Sequence, residues 1–152
     1  MVAVFAKGRD VTAPIEFWFD FSSPYGYLAA QRIEALAARH GRAVDWRPIL
    51  LGVVFKVAGT APLTEIPLKG EYSLRDFSRS ARYFNVPFKF PAKFPMSTVS
   101  AARAYYWLHG QDCQKARDFA RAVFRAYWVD GRDISDLAVV QEIAAGLGID
   151  VT

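Results

Sequence analysis

The stretch Ile15-Glu16-Phe17-Trp18-Phe19-Asp20-Phe21-Ser22-Ser23-Pro24-Tyr25-Gly26-Tyr27-Leu28-Ala29 decides the fold. Its first seven residues are nearly all apolar, the pattern of a strand buried on both faces. A hydroxyl residue then stands directly before a proline at the first helical position, where the missing proline N–H costs nothing. The helix that follows runs to about His40 and turns Tyr27, Leu28, Ile33, Leu36 and Ala37 toward a core, with Gln31, Arg32, Glu34 and Arg39 outside. Gly41 is a C-terminal stop. The alternating Val44-Asp45-Trp46-Arg47-Pro48-Ile49 reads as a second strand. Strand, helix and strand with short joints form a βαβ unit, which requires a parallel pair.

Working outward, residues 1–13 read as a lead-in ending at Pro14. Leu50 to about Thr64 is apolar, carries Lys56, and closes in the turn Gly59-Thr60-Ala61-Pro62. Ser73 is a candidate cap for a helix over about Leu74–Phe84. Asn85 to Pro95 holds three prolines (Pro87, Pro91, Pro95), which exclude a regular helix or a central strand. Ser97–His109, Gln114–Trp128 and Ile134–Leu147 carry helical periodicity, the last with Asp133 or Ser135 available as its cap. The organisation is thus a lead-in (1–13), a βαβ unit (14–50) and a helical block (51–152). A two-stranded parallel sheet is not a complete sheet architecture, and no further strand pattern follows residue 50.

Composition narrows the classes. At 152 residues, 53% hydrophobic, with 12 Phe and 4 Trp, the chain has enough apolar material for a core and aromatics left over for a pocket or an interface. The net charge of +4 comes from scattered Lys and Arg with no tract, which argues against a nucleic-acid surface and suits a small anionic ligand. Cys113 is the only cysteine, so no intrachain disulfide can form. No apolar run approaches a membrane span, and the opening residues make a poor signal peptide, so a cytoplasmic protein is the expectation. No cluster has metal-ligand spacing, and neither His40 nor His109 has the partners of a hydrolytic triad.

The chemistry concentrates at Ser23-Pro24-Tyr25-Gly26. A hydroxyl facing free backbone N–H groups at the positive end of a helix suits an anion, and a thiolate is one candidate. Thiol–disulfide enzymes put Cys-x-x-Cys at such a turn; here Ser23 and Gly26 take both cysteine positions, which nearly excludes that activity. Ser23 also reads simply as an N-cap. Lys56 and Lys93 read as solvated lysines or carboxylate contacts, Tyr72 as packing or pocket. Arg75, Arg79 and Arg82 form a solvated stripe or a device that steers an aromatic carboxylate.

The run Phe19–Ala29 resembles the opening of the 2-hydroxychromene-2-carboxylate isomerases, which group with kappa-class glutathione transferases in the DsbA-like branch of the thioredoxin fold. Phe55-Lys56 before Gly59, Pro67-Leu68-Lys69-Gly70-Glu71-Tyr72, Asn85-Val86-Pro87 and Phe90-Pro91-Ala92-Lys93-Phe94-Pro95 continue the resemblance in family order. It implies an α/β, thioredoxin-like βαβ unit with an inserted all-helical subdomain, the C-terminal strands of the fold being absent from this sequence. It implies glutathione as cofactor, a homodimer, and a small aromatic carboxylate substrate, with neither membrane nor nucleic acid as partner.

By motif position, Ser23 is the catalytic hydroxyl that stabilises the glutathione thiolate. Pro24, Lys56, Thr60, Pro62, Lys93 and Phe94 fall at cofactor-binding positions, Tyr25 and Tyr72 at substrate-binding ones. Three departures stand out: Phe94 where the family often has Tyr, Lys93 for Asn, and Thr60 for Asn. The thiolate would add to a conjugated carbon, allow rotation about the resulting single bond, and leave again. The alternatives are a kappa-like glutathione transferase, which would differ in its second substrate, and a shortened non-catalytic binding or assembly protein whose sheet edge recruits a partner.

Overall fold

A computed structural model describes residues 13–150; the expected lead-in lies, up to residue 12, outside them. Strand β1 (Ile15–Phe19) pairs in parallel with β2 (Val44–Pro48), Phe17 opposite Trp46 and Phe19 opposite Pro48. Among the described residues these two strands are the whole sheet. Between them lie α1 (Pro24–Ala30) and α2 (Ile33–Arg39). After β2 come α3 (Leu51–Ala58), a 3-10 turn (Leu63–Glu65), α4 (Lys69–Tyr83), α5 (Val99–His109), α6 (Cys113–Trp128) and α7 (Leu137–Gly146).

The core is aromatic. Phe17, Phe19 and Trp46 on one sheet face meet Tyr105 of α5 and Phe124 of α6, with ring centroids of Phe19 and Phe124 5.3 Å apart. Buried rings at this spacing combine large apolar area with favourable edge and offset geometries. Their polar atoms are satisfied: the Tyr105 hydroxyl donates to the Trp46 carbonyl at 2.9 Å, and the Trp128 indole N–H to the Phe21 carbonyl at 2.9 Å. Buried groups left unpaired would each cost about 1–3 kcal/mol. The other sheet face carries Glu16, Trp18, Asp45 and Arg47, with Trp18 52% exposed. The strand is therefore buried on one face only, because no helix among the described residues covers the second.

Four local expectations change. The helix over Pro24–His40 breaks at Gln31–Arg32, where Arg32 N–H bonds to Ala29 rather than four residues back. The reason is tertiary: the Arg32 guanidinium stacks 3.8 Å over Phe84, while Glu34 accepts from the Trp46 indole at 3.2 Å and pairs with Arg121, drawing α2 onto β2. Leu36, freed by that turn, is 50% exposed. Helix α4 starts at Lys69, not after Ser73; Ser73 sits inside it and donates to the Lys69 carbonyl at 2.7 Å. Helix α7 is capped by Asp136, whose side chain accepts from Ala138 N–H, because Asp133 and Ser135 are engaged with each other and with Lys93. Gly41 does close α2, at φ +61°.

The proline-rich stretch after α4 stays irregular and drapes over the C-terminal end of α6, Lys89 N–H donating to the Trp128 carbonyl at 2.7 Å. That contact carries Phe94–Ser97 to the mouth of the turn after β1.

Candidate active site

The site is assembled around Asp20, at the end of β1. This carboxylate is buried (5% exposed) and accepts three hydrogen bonds: Ser22 N–H at 2.8 Å, Leu51 N–H at 2.7 Å and the Thr98 hydroxyl at 3.0 Å. Leu51 and Thr98 stand at the starts of α3 and α5, neither of which has a side-chain cap from its own N-cap residue. One acid thus ties three chain segments together and compensates its own burial, as a buried charge must. Ser22 adds a fourth tie, its hydroxyl oxygen accepting from Met96 N–H at 3.2 Å.

Ser23 follows in extended backbone (φ −91°, ψ 117°) and caps α1, its Oγ accepting from Gly26 N–H at 3.0 Å. That leaves the hydroxyl proton to donate outward. Gly26 lies close beneath: a Cβ there would sit 3.1 Å from Ser23 Cβ and 3.3 Å from the Asp20 carbonyl. With α1 only seven residues long, its dipole is a small contribution, since the effect is confined to the terminal turn. The hydroxyl and the shape of the seat carry the site.

Ser23 opens onto a cavity of about 280 Å³. The turn Asp20–Tyr25 forms one wall and Phe94–Ser97 a second; the third is Leu51, Gly52 and Phe55 of α3 with Pro62, Leu63 and Thr64. Phe77 of α4 completes the lining. An apolar cavity with a few convergent polar groups is the usual form of a small-molecule site.

Of the residues singled out in the sequence, the cavity brings together Ser23, Pro24, Tyr25, Pro62 and Phe94. Lys56, Thr60, Lys93 and Tyr72 do not line it. Lys56 lies in the last turn of α3, next to the lining Phe55, and Thr60 follows the left-handed Gly59 with its N–H bonded to the Phe55 carbonyl. The Lys93 ammonium turns away to Asp133 (2.8 Å) and Ser135 (3.1 Å), and this pairing with the ammonium holds the Asp133 carboxyl down to about 2. Tyr72 is 59% exposed and accepts from Arg79 at 2.7 Å.

Asp20, Phe77 and Met96 are lining residues that reading by motif passed over. Asp20 did carry a signal, since an acid at the end of an otherwise apolar strand must find several donors or stay in water. Among the described residues no group of His, Cys, Asp and Glu could hold a metal ion, and no helix is long and apolar enough to cross a membrane.

The chain that folds into this strand pair, proline-led helix and helical block matches the model of the DSBA-like thioredoxin domain over residues 14–152, and it belongs to that family. Within it the chain is similar to 2-hydroxychromene-2-carboxylate isomerase from Sphingobium xenophagum, 34% identical over 142 residues, covering 92% of this chain and 71% of that one. It is also similar to glutathione S-transferase kappa 1 from Caenorhabditis elegans, 26% identical over 141 residues, covering 89% of this chain and 62% of that one. Among solved structures, a 2-hydroxychromene-2-carboxylate isomerase superposes with a TM-score of 0.74 at 28% identity, over 89% of this chain and 66% of that one. The resemblance to the isomerases, and the thioredoxin-like fold with a helical insertion, are thus borne out.

Proposed function

We propose that the chain is an isomerase of the 2-hydroxychromene-2-carboxylate type, using glutathione as cofactor on an aromatic carboxylate, with Ser23 as the catalytic hydroxyl. The observation that carries this reading is the Ser23 hydroxyl itself. Its oxygen accepts from Gly26 N–H at 3.0 Å, which leaves its proton free to donate to whatever fills a cavity whose lining includes Tyr25, Phe55, Phe77 and Phe94. That geometry fits the sulfur end of glutathione: a hydroxyl donor at the cap of α1, in a mostly apolar cavity with no cysteine among its lining residues. When bound, glutathione supplies a thiolate able to add reversibly to a conjugated carbon.

The chain's own residues perform the rest. Ser23 donates to the sulfur and favours its ionised form; a hydrogen bond to a charged group contributes about 1.5–3 kcal/mol, equivalent to one or two pKa units. Pro24 and Gly26 hold Ser23 at the rim, Asp20 fixes the turn, and Pro62 and Phe94 exclude water from opposite sides. On this reading Lys56, one residue beyond the cavity, and Thr60 serve the carboxylate end of the cofactor. Lys93, committed to Asp133, reaches it only by breaking that pair.

The relatives named as kappa glutathione transferases support a second reading, conjugation rather than isomerisation. The test is an absorbance assay on a chromene carboxylate with and without glutathione. Turnover should require glutathione and fall about 10- to 100-fold in Ser23→Ala, the range of one charge-assisted hydrogen bond, while stability drops by only about 1 kcal/mol for the lost cap. A Ser23→Ala protein with undiminished turnover would sink the assignment. Conjugation of an electrophilic aromatic without isomerisation would transfer it to the second reading. A cytoplasmic homodimer belongs to the same proposal, and light scattering of the purified protein checks its mass.

A further inference from the structure

Four aromatic rings form a continuous belt along the cavity. Tyr25 packs edge-on to Phe77 (centroids 5.0 Å), Phe77 stacks with Phe90 (6.3 Å, 6° between planes), and Phe90 meets Phe94 at 5.1 Å. Tyr25, Phe77 and Phe94 line the cavity directly. The inner end of the belt is rooted in the core, because Phe90 and Phe94 both pack on Trp128, which is fully buried and bonded to the Phe21 carbonyl.

The outer end is different. Tyr25 is 40% exposed, and beyond its contact with Phe77 it is held by a single polar tether: its hydroxyl donates to Asp76 Oδ2 of α4 at 2.7 Å. Asp76 is in turn fixed by Arg79, which pairs with its other oxygen and also donates to the Tyr72 hydroxyl, and by Ser80 at 3.4 Å. The carboxylate is therefore charge-compensated and stays ionised, its acidity strengthened first by Tyr25 and then by Arg79. The phenol stays protonated, pushed up to about 12 by burial and by Asp76. With its hydroxyl committed to Asp76, Tyr25 lines the cavity with its aromatic ring, two residues from Ser23.

We infer that Asp76 is a positioning residue: by tethering Tyr25 across α1 and α4 it completes the aromatic belt and gives the cavity its preference for planar aromatic acids over saturated ones of like charge. This rests on the reading of the cavity as an aromatic carboxylate site. Asp76 itself lines no part of the cavity, so it acts only through the ring it holds.

The test compares two acids of equal charge by titration calorimetry, cinnamate and 3-cyclohexylpropanoate. The wild-type protein should bind cinnamate more tightly. Asp76→Ala and Tyr25→Phe should each weaken cinnamate about fivefold, in line with a partly exposed hydrogen bond to a charged group, and leave the saturated acid nearly unaffected. Because the two changes remove one tether, the double variant should lose no more than either single one. Asp76→Asn, whose amide oxygen can still accept from the phenol, should recover most of the loss.

A merely structural role would weaken both acids alike, and that outcome overturns the inference, as does multiplication of the two losses. Tyr25→Phe keeps the ring and serves where Asp76→Ala fails to fold. A planar preference that depends on Asp76, without turnover in the glutathione assay, would remove the isomerase reading and leave this one standing. Equal binding of the two acids, or no binding of either by the wild type, overturns the present inference while the turnover assay stands on its own.

Discussion

Helix α3 lines the cavity directly, helix α6 backs it through Trp128 behind the lining Phe94, and the two are held in opposite ways. Helix α6 buries Ala116, Phe119, Ala120, Val123, Phe124, Ala126, Tyr127 and Trp128. Helix α3, Leu51–Ala58, is almost wholly apolar and buries none of its residues; Val53, Val54 and Val57 are 57%, 45% and 85% exposed. It is tied at its start by a polar contact, Leu51 N–H on Asp20, and ends at the left-handed Gly59. Apolar composition therefore does not measure burial here. One side of the cavity is core extended outward, and the other is a thin wall hung from a single carboxylate.

The sharpest way to break this comparison is to truncate each helix. Phe124→Ala should cost about 3–5 kcal/mol, the usual range for a fully buried aromatic. Val57→Ala should stay within about 0.5 kcal/mol, as for surface changes. Urea unfolding of both variants checks it, and comparable losses would mean that α3 is packed after all. A smaller effect is expected at the joint of the thin wall. A Cβ at Gly70 would stand 2.6 Å from the Thr64 carbonyl oxygen, a backbone atom that cannot swing aside. Gly70→Ala should therefore displace Pro62–Thr64 and destabilise by about 1–3 kcal/mol, the range for overpacking. It should also weaken binding of aromatic acids in the cavity. Unchanged melting and unchanged binding would show the wall to be freer than its contacts indicate.

The smallest effect concerns the salt bridge behind the second wall. In the folded protein the Asp133 carboxyl titrates at about 2 instead of the ordinary 3.8, chiefly through Lys93. A depressed folded value means the pair adds stability above the ordinary carboxylate range, and that stability is lost as pH falls toward 2. Lys93→Ala should thus lower Tm slightly at neutral pH and progressively less as pH falls toward 2. Both partners are well exposed (60% and 43%), so the neutral-pH shift should be no more than about 2–4 °C. A difference that persists undiminished at pH 2 would assign the effect to something other than this pair.

Much of the fold was legible locally. The apolar run of β1, the alternation of β2, and the proline after Ser23 each follow from residue-level preferences, and the structure reproduces the parallel pair and the cap. The break at Gln31–Arg32 was not legible, because nothing in its sequence terminates a helix; the cause is Arg32 on Phe84 and Glu34 on Trp46 and Arg121, contacts from distant segments. Ser73 looked like a cap because serine caps many helices, yet the close approach permitted by Gly70 lets α4 begin earlier. At the site, motif order placed Ser23, Pro24, Tyr25, Pro62 and Phe94 around one cavity. It could not rank Lys56 against Lys93, since the Asp133 that engages Lys93 is 40 residues away.

By itself, the sequence determined the family, the βαβ start and a hydroxyl seat lacking its own sulfur, because each depends on short-range pattern: alternation, a proline-led helix, Ser and Gly in place of two cysteines. Only the tertiary structure decided what surrounds that seat. Asp20 as a common anchor, the aromatic belt from Trp128 to Tyr25, and the exposed α3 wall all arise from contacts between residues far apart in the chain. Whether a residue there is core, wall or solvent-facing depends on what packs against it, which local preference does not encode.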